Sequence, residues 1–280
     1  MNTRLVGSEM CIRDSLSTLQ HLRHARCGLL TVPVSTLMQR VPPLSYLDGA
    51  CFELVCGATF DVANQRLALE SAGYQCVETV TERGQYAVRG ALMDIYPMGA
   101  ALPVRIDLFD DEIDTLRTFD PDSQRTVELI ERLDLLPAKE FPFDDAAVAR
   151  FRKQWHDLFQ VDVRQCSIYQ DVSSYIAPNG VEYYLPLFFD ELATLIDYLP
   201  TDAVFITEAG MAAAAQTFEG DVNNRYESLR HDVERPVLAP QKLYLGAEEL
   251  NQRLSARKRI VLGGEHPTHQ CAFASRPLPD

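Results

Sequence analysis

Basic residues are scarce in this sequence of 280 residues. It has 26 Lys and Arg against 40 Asp and Glu, a formal net charge of -14 and a pI near 4.9. Nucleic-acid affinity depends mainly on Lys and Arg side chains that neutralise phosphates. The composition therefore argues against a broad DNA-binding or RNA-binding surface, and any contact with DNA must be local.

Long apolar runs and paired cysteines are also missing. No stretch approaches the roughly 20 unbroken apolar residues that cross a membrane, so we expect no membrane partner. The seven cysteines are odd in number and contain no CxxC pair. That pattern argues against a disulfide framework and predicts reduced, buried thiols in the cytoplasm.

Catalytic motifs are lacking as well. A phosphate-binding loop needs GxxxxGK[ST], and no Gly in this chain precedes a Lys. The quartet Asp190–Ala193 resembles the acidic magnesium box of ATP-driven motors, but it follows two Phe residues and has no phosphate loop to serve. The run Glu265–Cys271 contains metal-ligand types, yet Pro267 interrupts it and no second ligand pair follows, which favours a solvated turn.

Four acidic residues, Asp110, Asp111, Glu112 and Asp114, are dense enough to suggest a metal site. They lie between two predicted strands, where acidic residues commonly form a hairpin turn and keep a sheet edge soluble. We therefore expect a turn rather than a metal site.

The chain divides by its periodicity. Residues 1–15 show no helical or strand period, and we expect them to be a non-native start. Leu16, Leu19 and Leu22 have helical spacing, and TVPVSTLMQRVPP predicts a short strand, a helical turn and a stop. A sheet-rich unit with one helix, closed by Gly73, extends to Pro137, and GQYAVRGALMDIYP and TVELIERLDLLP each predict a single strand in it.

The remaining residues predict helices and then βα units. DDAAVARFRKQWHDLF predicts an amphipathic helix, because Val148, Phe151, Trp155 and Phe159 recur at three- or four-residue steps, and SIYQDVSSYI predicts another helix. AVFITEAGMAAAAQTFEG predicts a strand and a helix, and KRIVLGG predicts a second, buried strand. This order is typical of a mostly parallel sheet, so the fold class is α/β, with α+β character in the sheet-rich unit.

The segment PVRIDLF carries a candidate binding surface. Because strand side chains alternate, Val104, Ile106 and Leu108 share one face, and Arg105, Asp107 and Phe109 share the other. An exposed Phe beside an Arg is a typical composition of a binding hot spot.

The residues also resemble a known family. GQYAVRGALMDIYPMGAALPVRIDLFDDEIDTLRTFDPDSQRT resembles a stretch shared by the nucleotide-excision-repair protein UvrB and the transcription-repair coupling factors (Mfd). LLTVPVSTLMQRVPP, LLPAKEFPFDDAAVARFRKQWHDLF and VEYYLPLFFDELATLIDYLP are similar to the coupling factors alone. The similarity covers residues 16–280.

The resemblance implies a domain plan and a site. Residues 16–49 and 138–280 would be two portions of an incomplete, degenerate RecA-like motor domain, interrupted by a UvrB-like module over 50–137. In the family that module binds UvrA, and its contact residues fall on Arg89, Arg105 and Phe109. Strand alternation leaves the direction of Arg89 open, because Ala91, Met93 and Ile95 share its parity.

The resemblance further implies a role in DNA repair without catalysis in this chain. Family members act on RNA polymerase stalled at DNA damage, use ATP and Mg²⁺ to translocate on duplex DNA, and recruit UvrA. The polymerase-binding and ATP-binding domains would lie beyond Asp280, and part of the motor-like domain would precede Leu16. We therefore expect this chain to hold no cofactor and no metal. The alternative is a UvrB-like helicase fragment that binds nucleotide or DNA.

Overall fold

The computed structural model describes residues 9–25 and 27–263, with the backbone alone at residues 9–15, 24 and 50. Helices and strands are mixed throughout this part of the chain, and the strands form four sheets. The largest sheet has six strands, and the other three have two strands each.

The leading segment is mainly helical. Its elements are α1 (Glu9–His24), α2 (Val34–Leu37), β1 (Arg40–Val41) and α3 (Leu44–Ala50). Leu16 and Leu19 are buried, as their spacing predicts, but α1 begins at Glu9, inside the segment 1–15 for which we predicted no helical period. The predicted strand before α2 is wrong, because the short strand follows α2 and pairs with Ala193–Thr194.

Most strands lie between residues 52 and 135. They are β2 (Phe52–Val55), β3 (Gln75–Cys76), β4 (Gln85–Arg89), β5 (Leu92–Ile95), β6 (Val104–Phe109), β7 (Glu112–Phe119), β8 (Thr126–Ile130) and β9 (Arg132–Leu135). β3 to β8 form the six-stranded sheet in chain order, and β2 pairs with β9. Two segments that we predicted as single strands are therefore each divided, since Gly90 at φ +61° turns the chain between β4 and β5, and Glu131 separates β8 from β9.

One helix packs against this sheet. α4 (Val62–Ser71) begins at Asp61, whose carboxylate accepts hydrogen bonds from the Ala63 and Asn64 amides, and it ends before Gly73 at φ +86°. The Tyr74 amide closes the helix end by donating to the Leu69 carbonyl at 2.9 Å. The predicted helix and its glycine cap are confirmed.

The sheet has two different faces. Its core face carries Tyr86, Met93, Ile95, Val104, Ile106 and Leu116, which pack with α4 and the β2–β9 pair in a hydrophobic core confined to residues 52–138. The opposite side, which we call the outer face, carries Ala87, Arg89, Leu92, Asp94, Arg105, Asp107, Phe109, Arg117 and Leu129. A small cluster that includes Ala87 and Phe119 covers part of the outer face.

Residues after the sheet form a second core rich in aromatic side chains. The elements are α5 (Asp145–Leu158), a 3₁₀ turn (Val163–Gln165), α6 (Ser167–Ser173), an irregular 3₁₀ segment (Val181–Phe188), β10 (Ala193–Thr194) and α7 (Leu195–Tyr198). Val148, Phe151 and Trp155 are fully buried along α5, which confirms its predicted amphipathic face. Trp155 packs against Phe151 and Tyr184.

The final described elements are β11 (Val204–Glu208), α8 (Met211–Leu229), α9 (Pro240–Leu243), α10 (Ala247–Ser255) and β12 (Lys258–Leu262). β11 and β12 pair in parallel, as the βα order predicts. The prediction that KRIVLGG is buried is wrong, because Ile260, Val261 and Leu262 are all exposed. Ile260 and Leu262 share one side of this two-stranded sheet with the exposed Ile206, and that side is uncovered in the part of the chain described.

Two further predictions concern membranes and cysteines. Among the described helices, none combines the length and apolar character needed to cross a bilayer. The cysteines whose side chains are described are all free thiols, and Cys166 is buried. The prediction of buried thiols is wrong for Cys27, Cys56 and Cys76, which are exposed.

Candidate partner-binding surface

The outer face gathers the three predicted contact residues on one side of the sheet. In β4, Arg89 pairs with Leu92 of β5, which in turn pairs with Asp107 of β6. Because directly paired residues share a face, Arg89 lies on the same side as Arg105 and Asp107. The register thus decides the direction that alternation alone left open.

Asp94 is the centre of the charged part of this face. It is only 3 % exposed, and both of its carboxylate oxygens accept hydrogen bonds from Arg105, at 2.6 Å from Nε and 2.8 Å from Nη2. Arg89 Nη2 also reaches the Asp94 carboxylate, at 3.4 Å. A buried carboxylate needs such partners because its desolvation is costly.

Arg105 is held on several sides. Its guanidinium lies over the Phe119 ring, 4.7 Å from the centroid, and Nη2 also donates to Gln124 Oε1 at 3.3 Å. The hydrogen bonds to Asp94 raise the pKa of Arg105, so it remains charged. Its side chain is only 17 % exposed, so most contacts of the Arg105 guanidinium are made inside the chain.

Arg89 differs from Arg105 in its exposure. It stands at the end of β4, beside the turn at Gly90, and 49 % of its side chain is exposed. Its guanidinium therefore has room to meet a partner while one nitrogen remains near Asp94.

Phe109 lies at the tip of the β6–β7 hairpin and is 73 % exposed. The register shifts beyond Asp107, where β7 carries one extra residue, so β6 keeps its alternation and Phe109 stays on the outer face. Its predicted position on the charged side of the strand is confirmed.

Sequence reasoning missed Leu92 as a member of this surface. Leu92 is exposed and pairs with Asp107, two residues from Phe109 along β6. Leu92 and Met93 are adjacent in the strand and therefore point to opposite faces, which was a usable signal. We predicted GQYAVRGALMDIYP as one strand, however, and so did not place the turn at Gly90. Arg89, Leu92 and Phe109 therefore form an exposed corner of the outer face, which we call the Phe109 corner.

The charges of Asp107 and Arg117 on this face are paired with each other. Arg117 Nη2 lies 2.6 Å from an Asp107 carboxylate oxygen, and Thr115 Oγ1 donates to the same carboxylate at 2.7 Å. Asp107, which stands between Arg105 and Phe109, is therefore neutralised within the sheet. Within the Phe109 corner, Arg89 is the exposed cation.

The other sites considered from sequence have ordinary surroundings. Asp110 adopts φ +51° in the tight turn that joins β6 to β7, which confirms the predicted hairpin. Among the side chains that the structure describes, no group of His, Cys, Asp and Glu could hold a metal ion. Asp190 is largely exposed and pairs with Arg150 at 3.3 Å. The run Glu265–Cys271 lies outside the described residues.

A protein-family model matches part of this chain. The model is the UvrB interaction domain, and it matches residues 52–141. That range contains the six-stranded sheet, α4 and the complete outer face. It also agrees closely with the extent of the first hydrophobic core.

Curated relatives extend the similarity over most of the chain. The chain is 45 % identical to the transcription-repair-coupling factor of Haemophilus influenzae, over 91 % of this chain and 22 % of that protein. It is 45 % identical to the transcription-repair-coupling factor of Escherichia coli, over 96 % of this chain and 24 % of that protein. The factor from Bacillus subtilis is 26 % identical over 73 % of this chain. The chain thus spans about a quarter of the length of the coupling factors that it matches.

Proposed function

We propose, on the premise that this chain is a coupling-factor relative with a UvrB interaction domain, that it recruits UvrA in transcription-coupled nucleotide-excision repair. The family match and the two relatives at 45 % identity support this proposal. The binding surface would be the outer face, and UvrA affinity would depend on Arg89, Arg105 and Phe109. Exposed, unpaired thiols such as Cys56 fit the reducing cytoplasm, where DNA repair takes place.

The observation that carries this proposal is the Phe109 corner. The Phe109 ring is 73 % exposed, so it contributes little hydrophobic stabilisation to the fold. A partner that buried the ring would gain that free energy on binding. Phe109 stands beside an exposed Leu and a half-exposed Arg, and the neighbouring charges of Asp107 and Arg117 are paired with each other. Aromatic and Arg side chains dominate binding hot spots.

The decisive experiment measures UvrA affinity for Phe109→Ala and Leu129→Ala. Leu129 is a matched control, because it is equally exposed at 73 % and lies on the same face, but at the far edge strand β8. We expect Phe109→Ala to weaken UvrA binding about thirtyfold, equivalent to roughly 2 kcal/mol, and Leu129→Ala to leave it unchanged. Equal effects of the two substitutions, or none, would contradict a site at this corner.

We propose that the flanking residues are two portions of a degenerate motor-like domain, as their resemblance to the coupling factors implies. Contacts with RNA polymerase and duplex DNA, and ATP-driven translocation, would belong to other parts of the full-length family members. This chain would then be a recruiting part without catalysis, cofactor or metal.

The rival proposal is a UvrB-like fragment that binds nucleotide or DNA. The sequence has no phosphate-loop motif, and its net charge of -14 opposes affinity for phosphates. We expect no saturable ATP binding at millimolar concentration and no hydrolysis above a heat-inactivated control. Binding or turnover would favour the rival proposal.

A further inference from the structure

We infer that Asp94 is a positioning residue of the recruiting surface, which it serves by holding Arg89 towards UvrA, and that Arg105 acts through Asp94 rather than by touching UvrA. This inference rests on the proposed function and assigns different tasks to the two arginines. Arg105 completes the buried ion pair, and Arg89 supplies the exposed cation.

The sheet register brings these residues together. Asp94 pairs directly with Arg105 on β6 and with Ala87 on β4, whose small side chain leaves room for the carboxylate. Arg89 lies two residues beyond Ala87 on the same face, so its side chain can approach Asp94 diagonally. Both arginines thus meet one carboxylate from different strands.

The contacts of the two arginines are unequal. Arg105 makes two short hydrogen bonds to Asp94, contacts Gln124 and covers the Phe119 ring. Arg89 has a single described contact of 3.4 Å with Asp94 Oδ2, which Arg105 Nη2 already contacts at 2.8 Å. With 17 % against 49 % of their side chains exposed, only Arg89 can turn to a partner at little cost.

Two arginines on one carboxylate leave an excess of one positive charge on this part of the face. Arg105 forms a bidentate pair with Asp94, so these two charges compensate each other. The excess positive charge therefore lies on Arg89. The complementary surface would present a carboxylate to Arg89 and an apolar pocket to Phe109. A restrained guanidinium loses less conformational entropy on binding than a free one, so Asp94 contributes to affinity by preorganisation.

The first test observes the arginine side chains without UvrA. In the full chain labelled with ¹⁵N-arginine, the Arg105 Nε–Hε group should exchange slowly with water, and that of Arg89 should exchange fast. Asp94→Asn should accelerate the exchange of Arg105, because the 2.6 Å hydrogen bond to a charged acceptor is lost. Fast exchange of Arg105 in the unaltered chain would overturn the inference.

The second test is a double-mutant cycle on UvrA affinity, with concentrations corrected for the folded fraction. We expect Asp94→Asn to weaken binding by about threefold to tenfold, the range for releasing one long side chain. The same substitution should have no effect in an Arg89→Ala background, but its full effect in a Phe109→Ala background. A loss that persists without Arg89 would assign Asp94 to the general stability of the fold and overturn its positioning role.

Arg105→Lys separates positioning from direct contact, because it keeps the positive charge and loses the bidentate geometry. We expect it to weaken UvrA binding only when Arg89 is present. A loss in the Arg89→Ala background would show that Arg105 itself touches UvrA and would overturn the inference. If the unaltered chain does not bind UvrA, the proposed function fails, and the exchange measurement still decides whether Asp94 holds Arg105 as we infer.

Discussion

Arg105 and Asp94 form a bidentate ion pair across β6 and β5, with Asp94 almost fully buried. Such a pair links stability to recognition, because removing Arg105 leaves the buried Asp94 charge with only the 3.4 Å contact to Arg89 among its described ion pairs. A loss of binding on substitution of Arg105 therefore has two possible origins. They are separated by measuring stability and affinity for the same variant.

Arg105→Ala should lower the free energy of unfolding by about 3 kcal/mol, since Asp94 would remain buried without its bidentate partner. Chemical denaturation measures this loss. The control is Arg132→Ala, which breaks the largely exposed contacts of Arg132 with Glu53 and Asp134 and should cost less than about 1 kcal/mol. Similar losses in both variants would contradict the structural role of the Arg105 pair.

Ile106→Ala should reduce stability without altering recognition. Ile106 is fully buried on the core face, so truncation leaves a cavity and costs about 2–4 kcal/mol. UvrA affinity of the folded fraction should equal that of the unaltered chain, because Ile106 faces away from the outer face. Phe109→Ala should show the converse, with a thermal midpoint close to that of the unaltered chain. Weakened binding in folded Ile106→Ala would indicate that the two faces are not independent.

Unfolding should proceed in more than one step, with residues 52–138 the more resistant unit. Their core is separate from the aromatic core of residues 141–238, and their six-stranded sheet contrasts with the exposed two-stranded β11–β12 sheet. Trp155, the single Trp, is buried in the aromatic core, so its fluorescence reports the second unit alone. We expect the fluorescence transition to precede the loss of strand amide protection in hydrogen exchange. Coincident transitions would contradict two separate units.

Glu140 should make the chain less stable as pH rises from about 4.5 to 7. Burial, together with the nearby Glu182 carboxylate, raises the pKa of Glu140 from 4.5 to about 7. Between these values the folded state binds more protons than the unfolded state, so the free energy of unfolding falls with pH and levels off above 7. Glu140→Gln should therefore add about 3 kcal/mol at pH 8 and flatten this dependence.

The control for this pH dependence is Glu191→Gln, an exposed carboxylate of the same region. It should leave the slope between pH 4.5 and 7 unchanged. An unaltered slope in Glu140→Gln would show that Glu140 is not the titrating group. An increase in the free energy of unfolding with pH over this interval would contradict the expected direction of the effect.

Local sequence patterns determined several features of this protein. Alternation in PVRIDLF assigned Ile106 to the core and Phe109 to the charged face, and the apolar spacing of α5 assigned Trp155 to a core. These predictions succeeded because a side chain's direction follows from the period of its own strand or helix. The acidic hairpin turn and the cap at Gly73 were equally local.

The tertiary structure alone decided how the contact residues are used. Arg89 faces Arg105 because β4 and β5 pair in one particular register, and no property of the segment VRGALMD sets that register by itself. Arg105 is committed to Asp94, eleven positions earlier in the chain, which sequence reasoning never singled out. The exposure of β12 likewise depends on what packs beside it, although its composition is that of a buried strand. Partners, exposure and charge compensation are set by residues from other strands, so a strand's own sequence fixes which face a side chain takes but not what it meets there.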